Sequence, residues 1–179
     1  GELETWVVAP SYSSFLREYC LTLLEDYVLR IDINSKTIVT AKGLNLRFSQ
    51  LVLATGSKVK DYGVLGVNEY ALKFKTLEDV ELLKNRIAEL KVLAKPSKNC
   101  VIVGAGSSGV ELACKLADLM QFDTKIHLIE LGEKLLPNSK AYNQEQAEIA
   151  LKKRGVQVHL KQRVVSITKK EVHMISNDQ

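Results

Sequence analysis

At 179 residues, with 46% hydrophobic and 26% charged side chains, the chain can supply a core for one large domain or two small ones. Its formal charge of +4 comes from mixed signs, with only mild basic clusters such as Lys152-Lys153-Arg154 at a helix end, so nucleic-acid binding has little footing. No stretch approaches the roughly 18 apolar residues of a membrane span, no secretory leader is visible, and a chain opening on Gly1 rather than Met is not expected to show its natural start.

In chain order, Ser11 to Tyr19 reads as a short helix, Leu21 to Leu24 as a short strand and Tyr27 to Ile33 as a second strand. Asn34-Ser-Lys makes a turn, Thr37 to Ala41 returns, and Lys42-Gly43 turns again into Leu46-Arg-Phe48, which together predict a small antiparallel meander. Gln50 to Ser57 is a largely apolar run expected to be a strand ending in a glycine turn, and residues 58 to 75 read as an irregular crossover. Thr76 can cap a helix from Leu77 to about Leu93, with Asp79 as a weak capping-box partner, before Lys95-Pro-Ser-Lys98 breaks it.

The next segment carries the chemistry. Val101 to Val103 form an apolar strand; Gly104, Gly106 and Gly109 follow at GxGxxG spacing, with Ala105, Ser107 and Ser108 between them, and a helix runs from Ser107 to about Met120. The first glycine allows the tight turn, the second lets backbone approach a pyrophosphate, and the third lets helix and strand pack closely. The pyrophosphate would sit on N–H groups at the helix N-terminus, where the dipole favours negative charge. The strand Lys125-Ile-His-Leu-Ile-Glu130 ends in an acid about 20 residues after the last glycine, the expected place of a ribose-binding carboxylate. Glu130 would accept from the ribose hydroxyls and repel a 2′-phosphate. No arginine follows closely, the nearest basic residue being Lys134, so NAD(H) is expected over NADP(H). The plainer alternative is an ordinary βαβ unit whose strand happens to end in Glu.

Beyond a loop through Pro137, a helix from about Ala141 to Arg154 is closed by Gly155, and Val156 to Leu160, Val164 to Ile167 and Val172 to Ile175 read as short strands. An internal echo is visible: Thr22, Leu24, Val28 and Ile31 align at constant offset with Val158, Leu160, Val164 and Ile167. The order helix, strand, meander thus occurs twice, as for two related dinucleotide-binding units in tandem. The first copy starts without a glycine loop or ribose acid and the second stops before its last strand, so both ends are expected to be cut. Cys20, Cys100 and Cys114 form no CxxC pair, which disfavours a redox disulfide; Cys100 and Cys114 read as small core residues. His127, His159 and His173 each fall inside an expected strand without metal-ligand spacing, so no metal is expected.

The glycine motif with Val110-Glu111-Leu112-Ala113, and the upstream Leu-Val-Leu-Ala-Thr-Gly56, resemble the pyridine-nucleotide flavin oxidoreductases of the glutathione-reductase type. Within them the chain is most similar to the type II NADH:quinone oxidoreductases of the cyanobacterial and plastid branch. Gly1-Glu-Leu-Glu-Thr-Trp-Val-Val-Ala-Pro10, Leu65-Gly-Val-Asn-Glu69, Lys75-Thr-Leu-Glu-Asp79 and Gly109-Val-Glu-Leu-Ala-Cys-Lys-Leu-Ala-Asp118 carry that likeness. Leu65 stands where the family often has Pro, which alters crossover stiffness.

The resemblance implies an α/β fold: a Rossmann-like NAD(H)-binding domain with parallel sheet and β-meander over 71–179, preceded by a partial FAD-binding domain with crossover over 1–70. It implies FAD in the first domain, NADH in the second, and hydride passing to flavin and then to a quinone. By position, Ala54, Thr55 and Gly56 would approach the FAD side of the junction, and Val28 would lie near the FAD adenine through its backbone. Gly104, Ala105, Gly106, Ser107, Ser108, Gly109 and Glu130 would hold NADH. Glu111 would lie near flavin and nicotinamide; its plainer reading is favourable charge at a helix N-terminus, and that of Thr55-Gly56 is a simple strand-to-loop turn.

The resemblance also implies a full-length protein peripheral on the inner or thylakoid membrane, or cytoplasmic, with a homodimer left open. The FAD phosphate loop, a later flavin-contacting segment and the membrane-docking region are expected outside this chain, as is the quinone site. Two other readings stay open: a stand-alone NAD(H)-binding module without catalysis, and another flavin oxidoreductase of the ferredoxin or nitrite reductase type.

Overall fold

A computed structural model describes residues 5–92, 98–120 and 124–177. The chain divides into two compact units, Gly1–Lys58 and Val59–Gln179. The crossover expected to close the first domain therefore belongs with the second unit.

In the first unit, α1 (Thr5–Val8) and α2 (Tyr12–Glu18) precede β1 (Val28–Asp32), β2 (Thr37–Thr40) and β3 (Asn45–Arg47). The three strands form the expected antiparallel meander, with Ile31 opposite Ile38 and Ile38 opposite Leu46. Its turns are built from local side-chain bonds. Asp32 Oδ1 accepts the Ser35 N–H at 2.9 Å, and Gly43, at φ +82°, lets its N–H reach Thr40 O at 3.0 Å. Asp26 accepts the Tyr27 and Lys42 N–H groups at 2.8 and 3.1 Å. The Thr40 hydroxyl, with those two amides, holds its carboxyl below the ordinary value.

Two expected strands are absent from this unit. Leu21–Leu24 forms no strand: the chain leaves α2 through Cys20 at φ +51° with the Leu21 N–H still bonded to Leu16 O. Gln50–Ser57 is likewise not a strand. Its apolar residues suit a sheet centre, but a strand exists only by pairing, and no described strand pairs with it; Val52 is 85% exposed.

In the second unit the crossover forms α3 (Val67–Tyr70), and Leu65 joins the edge of β7 (Gln162–Ile167). The Leu65 N–H donates to Val165 O at 3.3 Å and the Ile167 N–H to Leu65 O at 2.8 Å. Gly66 has φ +77°, and a Cβ there would lie 2.0 Å from Ile167 O, so the approach requires glycine. α4 (Leu77–Val92) begins with the capping box read from the sequence: the Asp79 N–H donates to Thr76 Oγ1 at 3.2 Å while the Thr76 N–H donates to Asp79 Oδ2 at 2.9 Å. Leu93 and Lys95 to Ser97 lie outside the described residues.

β4 (Lys98–Val103), α5 (Ser107–Met120), β5 (Thr124–Ile129), α6 (Ala141–Lys153) and β6 (Gln157–His159) build an α/β layer. The strands are parallel in the order β4-β5-β6, with Ile102 beside Leu128 and Leu128 beside Val158. Apolar residues on one sheet face meet α5 and α6: Ile102, Ile126 and Leu128 pack with Val110, Ala113, Leu116, Ala147 and Leu151. Each large side chain buried this way contributes about 1.5–3 kcal/mol. α6 ends as expected in a left-handed Gly155 (φ +67°), with the Gly155 N–H on Lys152 O and the Val156 N–H on Leu151 O, both at 3.1 Å, which is the Schellman pattern.

β7 and β8 (Val172–Ser176) close as an antiparallel hairpin. The internal echo has a structural counterpart here. β1–β2 carries a register irregularity between Val28 and Arg30, and β7–β8 carries one between Val164 and Ser166, at the offset the echo defines. The partner strands differ by two places: Val28 faces Thr40, whereas Val164 faces Met174.

Candidate functional site

The end of β4, the turn into α5 and the end of β5 meet at one edge of the parallel sheet. Gly104 sits at φ +101° and donates its N–H to Ile129 O at 2.8 Å, so the turn is tied to the neighbouring strand. A Cβ on Gly109 would lie 1.9 Å from Gly104 O and 3.8 Å from Leu128 Cδ1, so the third glycine is where helix and turn touch. A Cβ on Gly106 would meet nothing within 4 Å. That side is open, and Gly106, Ser107 and Ser108 are exposed along it while Ala105 is fully buried. The first turn of α5 leaves backbone N–H groups without intrahelical acceptors, and they belong to these open residues. The donor set suits a phosphate group.

Glu130 follows β5, half-buried beside the turn. Its Oε2 accepts the Ala105 N–H at 2.6 Å and its Oε1 the Gly132 N–H at 2.8 Å. Its backbone is fixed as well: its N–H donates to His159 O at 2.8 Å, and its carbonyl accepts the Gln162 N–H at 2.9 Å. The acid read from the sequence is therefore beside the glycine turn, with each carboxylate oxygen already bonded once.

The remaining site residues are more dispersed. Glu111 is exposed in the N-terminal part of α5, in the second unit. Val28, on β1, is exposed and pairs with Thr40. Ala54, Thr55 and Gly56 lie exposed in the non-strand segment of the first unit, with Gly56 at φ +73° and open space where its Cβ would be. The described residues of the first unit contain no second glycine turn ahead of a helix and so offer no phosphate cradle for FAD.

Three features escaped the sequence reading. The Leu136 N–H donates to Ala105 O at 2.9 Å, from a residue at φ +48° whose neighbour Leu135 is 2% exposed. Gln144 Nε2 donates to Leu136 O at 3.1 Å and to Ser139 O at 3.4 Å. An apolar Leu135-Leu136 pair inside a polar loop was the available signal. His127 and His159, on adjacent strands, stack with ring centroids 5.4 Å apart and share a 3.1 Å N···N hydrogen bond, and Asn99 Oδ1 is 3.2 Å from His127 Nε2. Burial, then the neighbouring His159 and Lys125, push the His127 imidazole below its ordinary value.

No group of three or more His, Cys, Asp or Glu suited to a metal occurs among the described residues. The thiols of Cys100 and Cys114 are free and raised by burial, and both residues are partly buried against the core rather than within it. No described helix is long and apolar enough to cross a membrane.

Residues 11–179 match the family model described as pyridine nucleotide-disulphide oxidoreductase. Demethylphylloquinone reductase NdbB of Synechocystis is 33% identical over 99% of this chain and 45% of its own length. The alternative NAD(P)H-ubiquinone oxidoreductase C1 of Arabidopsis thaliana, chloroplastic/mitochondrial, is 28% identical over 93% of this chain and 35% of its own. The chain thus spans less than half the length of these relatives. Among solved structures, NDH2 of Plasmodium falciparum in complex with NADH superposes with a TM-score of 0.73 over 93% of this chain and 40% of that one, at 20% identity, a likeness of fold.

Proposed function

Because the chain belongs to the pyridine nucleotide-disulphide oxidoreductase family, we propose that it is part of an FAD-dependent NADH dehydrogenase in which residues 71–179 form the NAD(H)-binding domain and 1–58 part of the FAD-binding domain, the crossover of 59–70 packing with the former. The observation that carries the reading is the glycine turn, where a Cβ on Gly109 would strike Gly104 O while the Gly106 side stays open. That geometry, with Glu130 beside it, supports dinucleotide binding rather than a plain βαβ unit. The shared irregularity of the two hairpins supports two related nucleotide-binding units in tandem.

In this reading, N–H groups of Gly106, Ser107 and Ser108 bind the pyrophosphate, Gly109 keeps α5 against the turn, and Glu130 accepts from the adenosine ribose and disfavours a 2′-phosphate. Glu111 lies toward the nicotinamide end. FAD, when bound to the whole protein, supplies the acceptor chemistry for hydride; the protein contributes position and electrostatics. Val28, Ala54, Thr55 and Gly56 fit one side of such a site and provide no cradle for its phosphates, so this chain alone binds NADH and holds FAD poorly. The quinone-reductase relatives favour a quinone as the final acceptor, and a quinone acceptor suits a whole protein that sits peripherally on a membrane.

Calorimetric titration with NADH and NADPH tests this. Saturable one-to-one binding that favours NADH supports the reading, whereas no binding by a chain with folded circular dichroism removes it. Stoichiometric flavin absorbance in the purified chain would contradict the expected weak hold on FAD. Glu130→Ala should weaken NADH and narrow its lead over NADPH; an unchanged ratio ends the selectivity role.

A further inference from the structure

We propose that Glu130 and the loop from Leu131 to Ser139 form a clamp that sets the glycine turn in its phosphate-binding shape before the cofactor arrives, so that Glu130 is a positioning residue as well as a ribose acceptor. The inference rests on the nucleotide-binding reading for its consequence, while its geometry consists of the chain's own hydrogen bonds.

The Ala105 peptide is held on both sides. Its N–H donates to Glu130 Oε2 at 2.6 Å, and its carbonyl accepts the Leu136 N–H at 2.9 Å. Because Ala105 lies between Gly104 and Gly106, its N–H and carbonyl belong to the two successive peptide planes of the turn, and holding both fixes its direction where glycine freedom would otherwise leave it loose. The other Glu130 oxygen takes the Gly132 N–H at 2.8 Å, so one side chain ties together the loop after β4 and the loop after β5. The loop is in turn held by Lys161, whose N–H donates to Gly132 O at 2.9 Å, and by Gln144, which donates to the Leu136 and Ser139 carbonyls. Leu136 occupies a left-handed conformation at φ +48°, uncommon for a leucine, and in it presents its N–H to Ala105.

Both jobs of Glu130 are compatible. Each carboxylate oxygen has two lone pairs, and each has spent one on backbone. The second lone pair on each remains for a ribose hydroxyl. A carboxylate is also the group the clamp needs, since it accepts at both oxygens. Glutamine keeps one acceptor and places an NH₂ donor against a backbone N–H donor, so the amide opposes one of the two tethers.

The clamp and a pure ribose contact make opposite statements about Glu130→Gln. A ribose-only residue tolerates the change for a ligand without ribose hydroxyls, because an amide and a carboxylate then have nothing to distinguish. A clamp residue does not. The experiment compares wild type, Glu130→Gln and Gln144→Met, each checked for folding by circular dichroism. It measures backbone hydrogen exchange over residues 104–109 without ligand, and calorimetric binding of NADH, NADPH and an NADH analogue lacking the 2′ and 3′ hydroxyls of the adenosine ribose.

The clamp predicts faster exchange over 104–109 in both variants. It predicts that Glu130→Gln weakens the dideoxy analogue by about tenfold, the scale of one lost charge-assisted hydrogen bond, and NADH by at least as much because the ribose contact suffers too. Gln144→Met, which touches neither ribose nor phosphate in this reading, should weaken NADH and NADPH by the same factor of about three, leaving their ratio unchanged, as expected for a neutral hydrogen bond. Unchanged exchange together with an unaffected dideoxy analogue overturns the clamp and leaves Glu130 a ribose ligand. A wild-type chain that binds no NADH overturns the proposed function instead, while the exchange comparison still decides the clamp.

Discussion

The two units use similar residues to different ends. In the second, apolar periodicity is converted into a core: Ala105, Ala113, Leu128 and Leu151 are fully buried between a parallel sheet and its helices. In the first, Thr40 is the one buried residue among those described, and Trp6, Leu29, Ile33, Val52 and Leu53 are all exposed. The meander keeps its register through turns and local hydrogen bonds, which need no layer packed on it. An apolar pattern therefore yields a buried core only where a second layer is present to cover its face.

The contrast is broken or sharpened by substitution. Leu128→Ala should cost about 2–5 kcal/mol in denaturant unfolding, the range for emptying a core leucine site, whereas Val52→Ala at an exposed site should stay within about 0.5 kcal/mol. Equal costs would mean that the two units are held alike. Gly109→Ala forces a methyl onto Gly104 O and should destabilise the second unit by about 1–3 kcal/mol, with NADH binding lost in calorimetry; retained binding would place the functional turn elsewhere. Thr76→Ala removes one half of the α4 capping box and should cost about 1 kcal/mol in the same unfolding assay. A cost near zero would mean that α4 is positioned by its packing alone.

Acidity should separate the units by where each responds. His127 has a folded value below its ordinary 6.5, so its contribution is complete above pH 6.5 and is lost as pH falls through the folded value. Asp26 is likewise lowered, from 3.8, so its contribution to the meander is complete above that pH and is lost below it. A melting series across pH should therefore show the second unit weakening first, with His127→Gln flattening that limb and Asp26→Asn flattening the acid one. Coincident loss in both units with neither variant altering it would refute the assignment.

Much of the second unit was legible because local signals agreed there. The α5 boundaries, the Thr76–Asp79 box, the Gly155 cap and the strand running up to Glu130 each join a periodic run to a specific terminator. The glycine turn was legible for the same reason, since each glycine answers a local steric demand. Leu21–Leu24 and Gln50–Ser57 misled because their composition suits strands while pairing is a non-local fact. The Leu136 contact to the turn, the Gln144 contacts to the Leu136 and Ser139 carbonyls, and the His127–His159 stack were invisible because register between separate elements creates them. Glu130 was found for its ribose chemistry, but its hold on Ala105 could be seen only in three dimensions.

The two hairpins, finally, differ in partner register by two residues while keeping their irregularity in the same place. Side chains alternate faces along a strand, so a displacement of two returns each to the face it left, whereas a displacement of one would turn the partner strand inside out. Tolerance to length change at these hairpin tips should accordingly follow parity: residues inserted or removed in pairs preserve which side faces inward, and single insertions demand a further bulge to restore it.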